Sequence, residues 1–116
     1  MSAARQHPAR EVERRLRRRF AVCAYCGGPM KTHRGVLGCP ADKATIEHLN
    51  RSGPFCWTEG LREKDIVIVC ARCNSSRGKK RLQDWFQSPY CRARGIIASR
   101  VALEVRRYLR TPAAKR

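Results

Sequence analysis

The chain has 116 residues, of which 26 are lysine or arginine and 9 are aspartate or glutamate, giving a formal net charge of +17. Such an excess is too large for an ordinary solvated surface and predicts a polyanionic partner, first of all nucleic acid. The sequence contains no apolar run near the roughly 20 residues that span a bilayer and no secretory signal, so we expect no membrane association and a cytoplasmic, single-domain protein.

The first predicted element is a basic helix. Val12, Leu16 and Phe20 recur at helical spacing, and arginines occupy most of the remaining circumference. These arginines are either the solvated face of a docking helix or direct contacts to phosphates, and the pattern leaves both interpretations open.

Two short strands are predicted in the middle of the chain. Residues 44–49 alternate between apolar and polar side chains, and residues 65–70 form a β-branched run bounded by charges. The two segments could pair as antiparallel strands. Their connection, residues 50–64, is long for a hairpin and is therefore a candidate functional loop.

Two further basic helices are predicted after the second strand. Leu82, Trp85 and Phe86 stand at i, i+3, i+4 spacing behind a basic stretch, which predicts one helix with a basic first half. Apolar residues interleaved with arginines predict a second helix over residues 96–109. Residues 111–116 are expected to fray.

Two Cys-x-x-Cys pairs, Cys23 with Cys26 and Cys70 with Cys73, predict a tetrahedral zinc site. Four cysteines leave no open coordination position, so the predicted zinc is structural. The alternatives are two disulfides or four buried thiols, and a reducing compartment disfavours the disulfides. The other three cysteines are interpreted as small buried residues rather than a second metal site. They are Cys39, Cys56 and Cys91.

A second set of polar residues, Glu47, His48 and Asn74, is a candidate catalytic cluster. If zinc fixes Cys73, the next side chain, Asn74, is held at the start of a helix against which the first strand could lie. Carboxylate and amide oxygens suit a hard cation such as Mg²⁺ or Mn²⁺, and a neutral imidazole can take a proton from water. Taken alone, a Glu-His pair is a weak signal.

The order of these motifs along the chain resembles the HNH endonuclease family. The motifs are the first Cys-x-x-Cys pair, Glu47-His48, the run Ile66-Val67-Ile68-Val69 before the second pair, Asn74 and Arg77-Gly78. The resemblance covers residues 20–86 and is greatest to the branch braced by a four-cysteine zinc, as in phage junction-resolving endonucleases and small phage and restriction enzymes. It implies an α+β fold, a zinc-braced ββα-metal module with flanking basic helices.

The resemblance also implies a function for each residue of the cluster. The acidic residue before the histidine, Glu47, would bind the catalytic Mg²⁺ or Mn²⁺, His48 would be the general base, and Asn74 would complete the metal site. The implied reaction is hydrolysis of DNA phosphodiester bonds, leaving a 5′-phosphate and a 3′-hydroxyl.

Two positions depart from the family pattern. The family commonly has aspartate in place of Glu47, and asparagine in place of Asp65. An aspartate can accept the same backbone hydrogen bonds but cannot donate. Asp65 is therefore expected to have a structural function in the loop between the strands, or to contact His48 and raise its basicity.

The implied organisation is a basic helical extension at 1–19, a nuclease core at 20–87 and a basic C-terminal helix and tail at 88–116. DNA is expected to bind mainly through phosphate contacts from the basic stretch. That stretch comprises Arg77, Lys79, Lys80 and Arg81. His33 and Asn50 are interpreted as loop residues that could touch substrate.

Two other functions fit the same composition. The chain could be a non-catalytic zinc-containing module that binds nucleic acid, which needs the charge and the cysteines but not the catalytic cluster. It could also be an accessory subunit of a larger nuclease or phage packaging complex. A module of this size can nick one strand, and cutting both would require a homodimer or two visits.

Overall fold

Two antiparallel strands lie at the centre of the fold, which a computed structural model describes for residues 2–32, 40–50 and 62–115. Strand β1 spans Ala44–His48 and strand β2 spans Ile66–Cys70, with Ala44 opposite Cys70 and His48 opposite Ile66. Every residue of β2 is buried, which accounts for its continuous rather than alternating apolar pattern. The predicted α+β class and the strand pair are confirmed.

Five α-helices and two 3-10 turns accompany the strands in the described part of the chain. The helices are α1 (Ser2–Arg19), α2 (Ala71–Arg77), α3 (Leu82–Trp85), α4 (Pro89–Arg94) and α5 (Leu103–Leu109), and the 3-10 turns span Glu63–Asp65 and Pro112–Lys115. None of the described helices combines the length and apolar character needed to cross a membrane. His33, Cys39, Cys56 and most of the predicted functional loop lie outside the described residues.

Helix α1 packs onto the strand pair through its C-terminal half. Leu16 is fully buried, and Phe20, one turn further on, is 7% exposed. Arg15 and Arg19 both reach the carboxylate of Glu63, in the turn before β2, at 2.8 and 3.5 Å. These ion pairs are largely exposed and therefore weak, so the apolar contacts are the main force that docks the helix.

The single helix predicted around Leu82, Trp85 and Phe86 is in fact two helices, because Gly78 interrupts it. Gly78 has a φ of +52° and caps α2, which ends at Arg77. A residue with positive φ cannot continue a right-handed helix. The three apolar residues are nevertheless buried, as their spacing predicted.

The helix predicted over residues 96–109 is also shorter than expected. Gly95 adopts the left-handed conformation that ends α4, and the chain turns through eight residues before α5 begins. Within these turns Val101 is buried, and the N–H of Ala102 donates to the carbonyl of Ala24, 2.9 Å away. This long-range bond holds Ala102 in an extended conformation, so helix can form only after it.

The predicted fraying of residues 111–116 is wrong for residues 111–114. Ala114 is buried, and its carbonyl accepts a 2.8 Å hydrogen bond from the side-chain amide of Gln83. One hydrophobic cluster therefore extends from Leu16 in α1 through β2 to Ala114.

Replacing Leu16 with alanine tests the docking of α1. Because Leu16 is fully buried, Leu16→Ala should lower the free energy of unfolding by about 2 to 5 kcal/mol, measured by chemical denaturation. The exposed Arg18 in the same helix is the control, and Arg18→Ala should change it by less than about 0.5 kcal/mol. Equal unfolding curves for the two variants would show that the helix does not pack as described.

Candidate metal centre and active site

The four cysteines of the two Cys-x-x-Cys pairs converge on one point. Their sulfur atoms all lie within 4.8 Å of one another, and the Sγ atoms of Cys26 and Cys70 are 4.0 Å apart. A tetrahedral zinc with Zn–S bonds of about 2.3 Å requires sulfurs separated by about 3.8 Å. The cluster therefore has the spacing and the chemistry of a structural zinc site.

Local backbone structure builds this cluster. The first pair lies in a tight turn in which the N–H of Gly27, at a φ of +73°, donates to the carbonyl of Cys23. The second pair begins at Cys70, the last residue of β2, and Cys73 follows in the first turn of α2. The end of a strand and the start of a helix are thus fixed to the same point.

Hydrogen bonds favour a thiolate at Cys23. The Cys73 thiol and the backbone N–H groups of Cys26, Cys70 and Tyr25 lower the pKa of the Cys23 thiol to about 5. Burial instead raises the pKa of Cys26 to about 11. A second negative charge in the cluster is therefore opposed unless a cation compensates it, which is what zinc provides.

An aromatic layer lies against the sulfur cluster. The hydroxyl of Tyr90 is 3.2 Å from the Sγ of Cys73, and its ring stacks on Trp85, with centroids 6.0 Å apart. Burial, together with the Cys73 thiol, raises the pKa of Tyr90, so the phenol stays protonated and can donate to a thiolate. Trp85 also packs against Tyr25, at 4.8 Å.

The carboxylate of Glu47 is buried in a polar cluster with Arg77 and Tyr25. Its Oε2 atom accepts a hydrogen bond from the Tyr25 hydroxyl at 2.8 Å and is 3.1 Å from the Arg77 guanidinium. The Glu47 and Arg77 side chains are 10% and 7% exposed, so the pair is almost completely removed from water.

Removal from water governs the pKa values of this pair. Burial raises the pKa of Glu47, and Arg77 and Tyr25 offset only part of that effect. Burial also opposes the charge on Arg77, but Tyr25 and Glu47 outweigh it and raise the pKa of the guanidinium. The carboxylate thus depends on Arg77 for its charge, and a lone charge on either side chain would be costly.

Asn74 lies on the same face of β1 as Glu47. Its amide nitrogen donates to the Thr45 hydroxyl at 3.0 Å and to the Ile46 carbonyl at 3.3 Å. Thr45 and Glu47 share a face of the strand because they are two residues apart, and Asn74 and Arg77 share a face of α2 because they are three apart. The predicted pair of oxygen donors, Glu47 and Asn74, is therefore assigned to one face of β1, and its binding of a cation stays a prediction.

His48 is the last residue of β1 and is 8% exposed. Strand alternation directs its side chain to the opposite face from its neighbour Glu47. Asp65 is buried beside the strand end: its carbonyl accepts from the N–H of Leu49 at 2.8 Å, and its carboxylate binds Arg62 at 3.2 Å. Asp65 thus ties the two strand ends together through its backbone.

The basic stretch is divided between the interior and the surface. Lys79, Lys80 and Arg81 are exposed, as phosphate contacts require, whereas Arg77 is only 5% exposed. Its guanidinium donates to the carbonyls of Lys80 and Leu49 in addition to Glu47. The buried position of Arg77 differs from the surface position that its predicted DNA contact needs, because the carboxylate of Glu47 draws it inward.

Sequence reasoning missed two residues of these clusters, Tyr25 and Tyr90. It also missed the structural function of Arg77. Tyr25 stands between the cysteines of the first pair, a position from which it had to lie near the metal site. Nothing in the local pattern marked Tyr90, which meets Cys73 only through tertiary packing. Cys91 is fully buried in the hydrophobic core, as predicted.

The chain matches no protein-family model, no curated protein and no solved structure. Inference about its function therefore depends on the two clusters themselves. Among the described residues, the four cysteines form the group whose geometry could hold a metal ion through histidine, cysteine or carboxylate ligands.

One zinc per chain is expected in purified protein by elemental analysis. Cys70→Ser should lose the zinc and unfold the module, because binding a structural zinc provides much of the folding free energy of a small domain. The control is Cys91→Ala, which alters a buried cysteine outside the cluster and should retain one zinc. A chain that is folded and free of zinc would contradict the assignment.

Proposed function

We propose that this protein is a metal-dependent DNA endonuclease of the HNH type in which His48 is the general base. The observation that carries the proposal is the hydrogen bonding of Asn74 to β1, which sets its amide on the same face as Glu47, the residue before His48. The four-cysteine cluster includes Cys73, the residue before Asn74 in the first turn of α2. A metal bound there would hold Asn74 in place before substrate arrives, which supports the proposal.

DNA is the proposed substrate because of the charge. The net charge of +17 and the exposed cations after α2 favour a polyanion and predict binding through counterion release. Phosphate contacts of this kind depend little on sequence, so they support DNA as a class of substrate rather than a particular site.

Glu47 and Asn74 are the residues that would hold a hard cation. Arg77 and Tyr25 both bind Oε2 of Glu47, so its second oxygen can serve as a ligand. The amide nitrogen of Asn74 is engaged by β1, so its oxygen is the atom suited to a cation. Two protein oxygens suffice for Mg²⁺ or Mn²⁺, which keep several waters. When bound, such a cation stabilises charge on the phosphoryl oxygens and the departing 3′-oxygen.

The proton transfer is assigned to His48. Its imidazole takes a proton from water, and the water oxygen attacks the phosphorus in line. The bond from phosphorus to the 3′-oxygen breaks, leaving a 5′-phosphate and, after protonation, a 3′-hydroxyl. Arg77 acts indirectly in this scheme, since it holds the carboxylate of Glu47 and, through the Leu49 carbonyl, the residue after His48.

A non-catalytic zinc module that binds nucleic acid is the second candidate, and one observation favours it. Glu47 is already the counterion of a buried arginine, which accounts for its burial without any catalytic cation. A related hypothesis is that the protein is an accessory subunit of a larger nuclease, in which cleavage would require a partner. The experiments below separate these functions.

Removing the imidazole should abolish most nicking of supercoiled plasmid in Mg²⁺ or Mn²⁺. His48→Ala and His48→Gln are expected to slow nicking by about 100-fold or more, because neither can take the proton. Ile46→Ala is a matched control, since it removes a side chain from the same strand and the same face without removing a base.

Zinc content and DNA affinity show whether the His48 variants remain intact. Both variants should keep one zinc and a DNA affinity that falls steeply with salt, since each neutralised phosphate contributes about −0.9 to the slope of log K against log salt. If wild-type protein leaves plasmid intact in Mg²⁺, Mn²⁺, Co²⁺ or Ni²⁺, or if His48→Gln nicks at the wild-type rate, the binding module replaces the nuclease.

The loss of an oxygen ligand should be repaired by more metal. Asn74→Ala is expected to weaken activation by Mg²⁺ about tenfold or more and to recover at high Mn²⁺ concentration, whereas His48→Gln should not recover. Ser75→Ala is the control, since it alters the exposed neighbouring residue of α2 and leaves the Asn74 amide and its bonds to β1 intact. A defect in Asn74→Ala that is independent of metal concentration would assign this residue a structural function instead.

A further inference from the structure

A cavity of about 240 Å³ opens beside the end of β1. Leu49 and Asn50, which directly follow His48, line one side of it, and the turn between α2 and α3 lines another. Tyr108 of α5 and Ala114 of the last 3-10 turn complete the wall. Segments from the middle and the end of the chain thus enclose a space next to the candidate active site.

The described residues that line this cavity are strongly basic. Its lining includes Lys79, Lys80 and Arg81 and contains no acidic side chain among the described residues. Arg81 pairs with Asp84, and both side chains are more than half exposed, so this ion pair is weak. The residues that line this cavity should therefore attract an anion.

A neighbouring cavity on the other side of Tyr108 provides a contrast. Its lining contains three cations, Arg19, Lys64 and Arg107, and the acidic residues Asp65 and Glu104, so most of its positive charge is offset. The two cavities thus differ in the net charge of their lining residues, although Tyr108 borders both. The accumulation of cations in the first is specific to that cavity rather than a general result of the basic composition.

The cations are held on a rigid turn. Gly78 ends α2, the N–H of Lys80 donates to the carbonyl of Arg77, and the Arg77 side chain donates back to the carbonyl of Lys80 at 2.9 Å. The same guanidinium binds Glu47 and the carbonyl of Leu49. The basic turn and the end of β1 are therefore fixed relative to each other by one buried side chain.

Asn50 presents an amide donor at the edge of the cavity. The Tyr108 hydroxyl donates to Oδ1 of Asn50 at 3.3 Å, so the amide Nδ2 group is the part of the side chain that can donate to an anion. The opposite wall is fixed by the bond from Gln83 to the carbonyl of Ala114. An amide donor and the two exposed lysines of the turn, Lys79 and Lys80, around one small space are well suited to phosphate oxygens.

We propose that this cavity binds one backbone phosphate of the DNA strand, next to the phosphate that is cleaved. Its volume is below the range of about 300 to 1,000 Å³ that is typical of small-molecule sites, which favours a phosphate with part of its sugar over a whole nucleotide cofactor. Asn50 is two residues from His48, so the Cα atoms of the two residues are at most about 7 Å apart. The assignment of the cleaved phosphate to His48 rests on the proposed function, whereas binding of a phosphodiester by the cavity does not.

Titration with a thymidine dinucleotide, which carries a single phosphodiester, tests the cavity by backbone amide NMR without added Mg²⁺ or Mn²⁺. Saturable shifts are expected at residues 49–50, 79–83 and 113–114. The uncharged methylphosphonate dinucleotide should not produce them. Shifts confined to other residues, or equal shifts with the methylphosphonate, would overturn the proposal.

Variants locate the binding groups. Lys79→Gln and Asn50→Ala should each weaken dinucleotide binding about fivefold, whereas Lys64→Gln, which alters an exposed lysine of the neighbouring cavity with acidic lining, should not. Affinities unchanged in both Lys79→Gln and Asn50→Ala would exclude the cavity. The binding experiment involves no cleavage, so its result is independent of the nicking assay. If the protein binds the dinucleotide at this cavity but does not nick plasmid, the proposed nuclease activity is refuted and the phosphate site is retained.

Discussion

The side chain of Arg77 joins four parts of the molecule. Its guanidinium binds the hydroxyl of Tyr25 in the first cysteine turn, the carboxylate of Glu47 on β1, and the carbonyls of Leu49 and Lys80. Because the charge is buried, losing Glu47 would leave it uncompensated, and breaking a buried pair in this way typically costs about 3 to 5 kcal/mol. The end of the first strand, the candidate active site and the basic turn therefore share one anchoring interaction.

Helix α2 has only seven residues and depends on its two ends being held. A helix this short is not stable alone in water. At one end Cys70 and Cys73 belong to the sulfur cluster, and at the other end the side chain of Arg77 is buried against the strand pair. Asn74 lies between these two fixed points, which is why its amide has a defined position over β1.

The positive charge of the chain is used in different ways at different positions. Arg15 and Arg19 pair with Glu63 where α1 docks, and Arg77 is an internal counterion. Lys79 and Lys80, by contrast, are exposed beside a cavity whose described lining residues include no acid. Net charge alone predicts a polyanionic partner, but only the surroundings of each cation identify which of them can meet that partner.

The sequence by itself determined the two cysteine pairs, the two strands and the position of Asn74 directly after the last cysteine. These features depend on spacing between near neighbours, which the chain carries locally. Tertiary structure alone decided the inward position of Arg77, the breaks at Gly78 and Gly95, the contact of Tyr90 with Cys73, and the cavity between Asn50 and Tyr108. Each of these depends on a partner elsewhere in the fold, or on a backbone angle that glycine permits but does not require. Whether an arginine is a surface cation or a buried counterion is fixed by the long-range approach of a carboxylate, here 30 residues earlier in the chain.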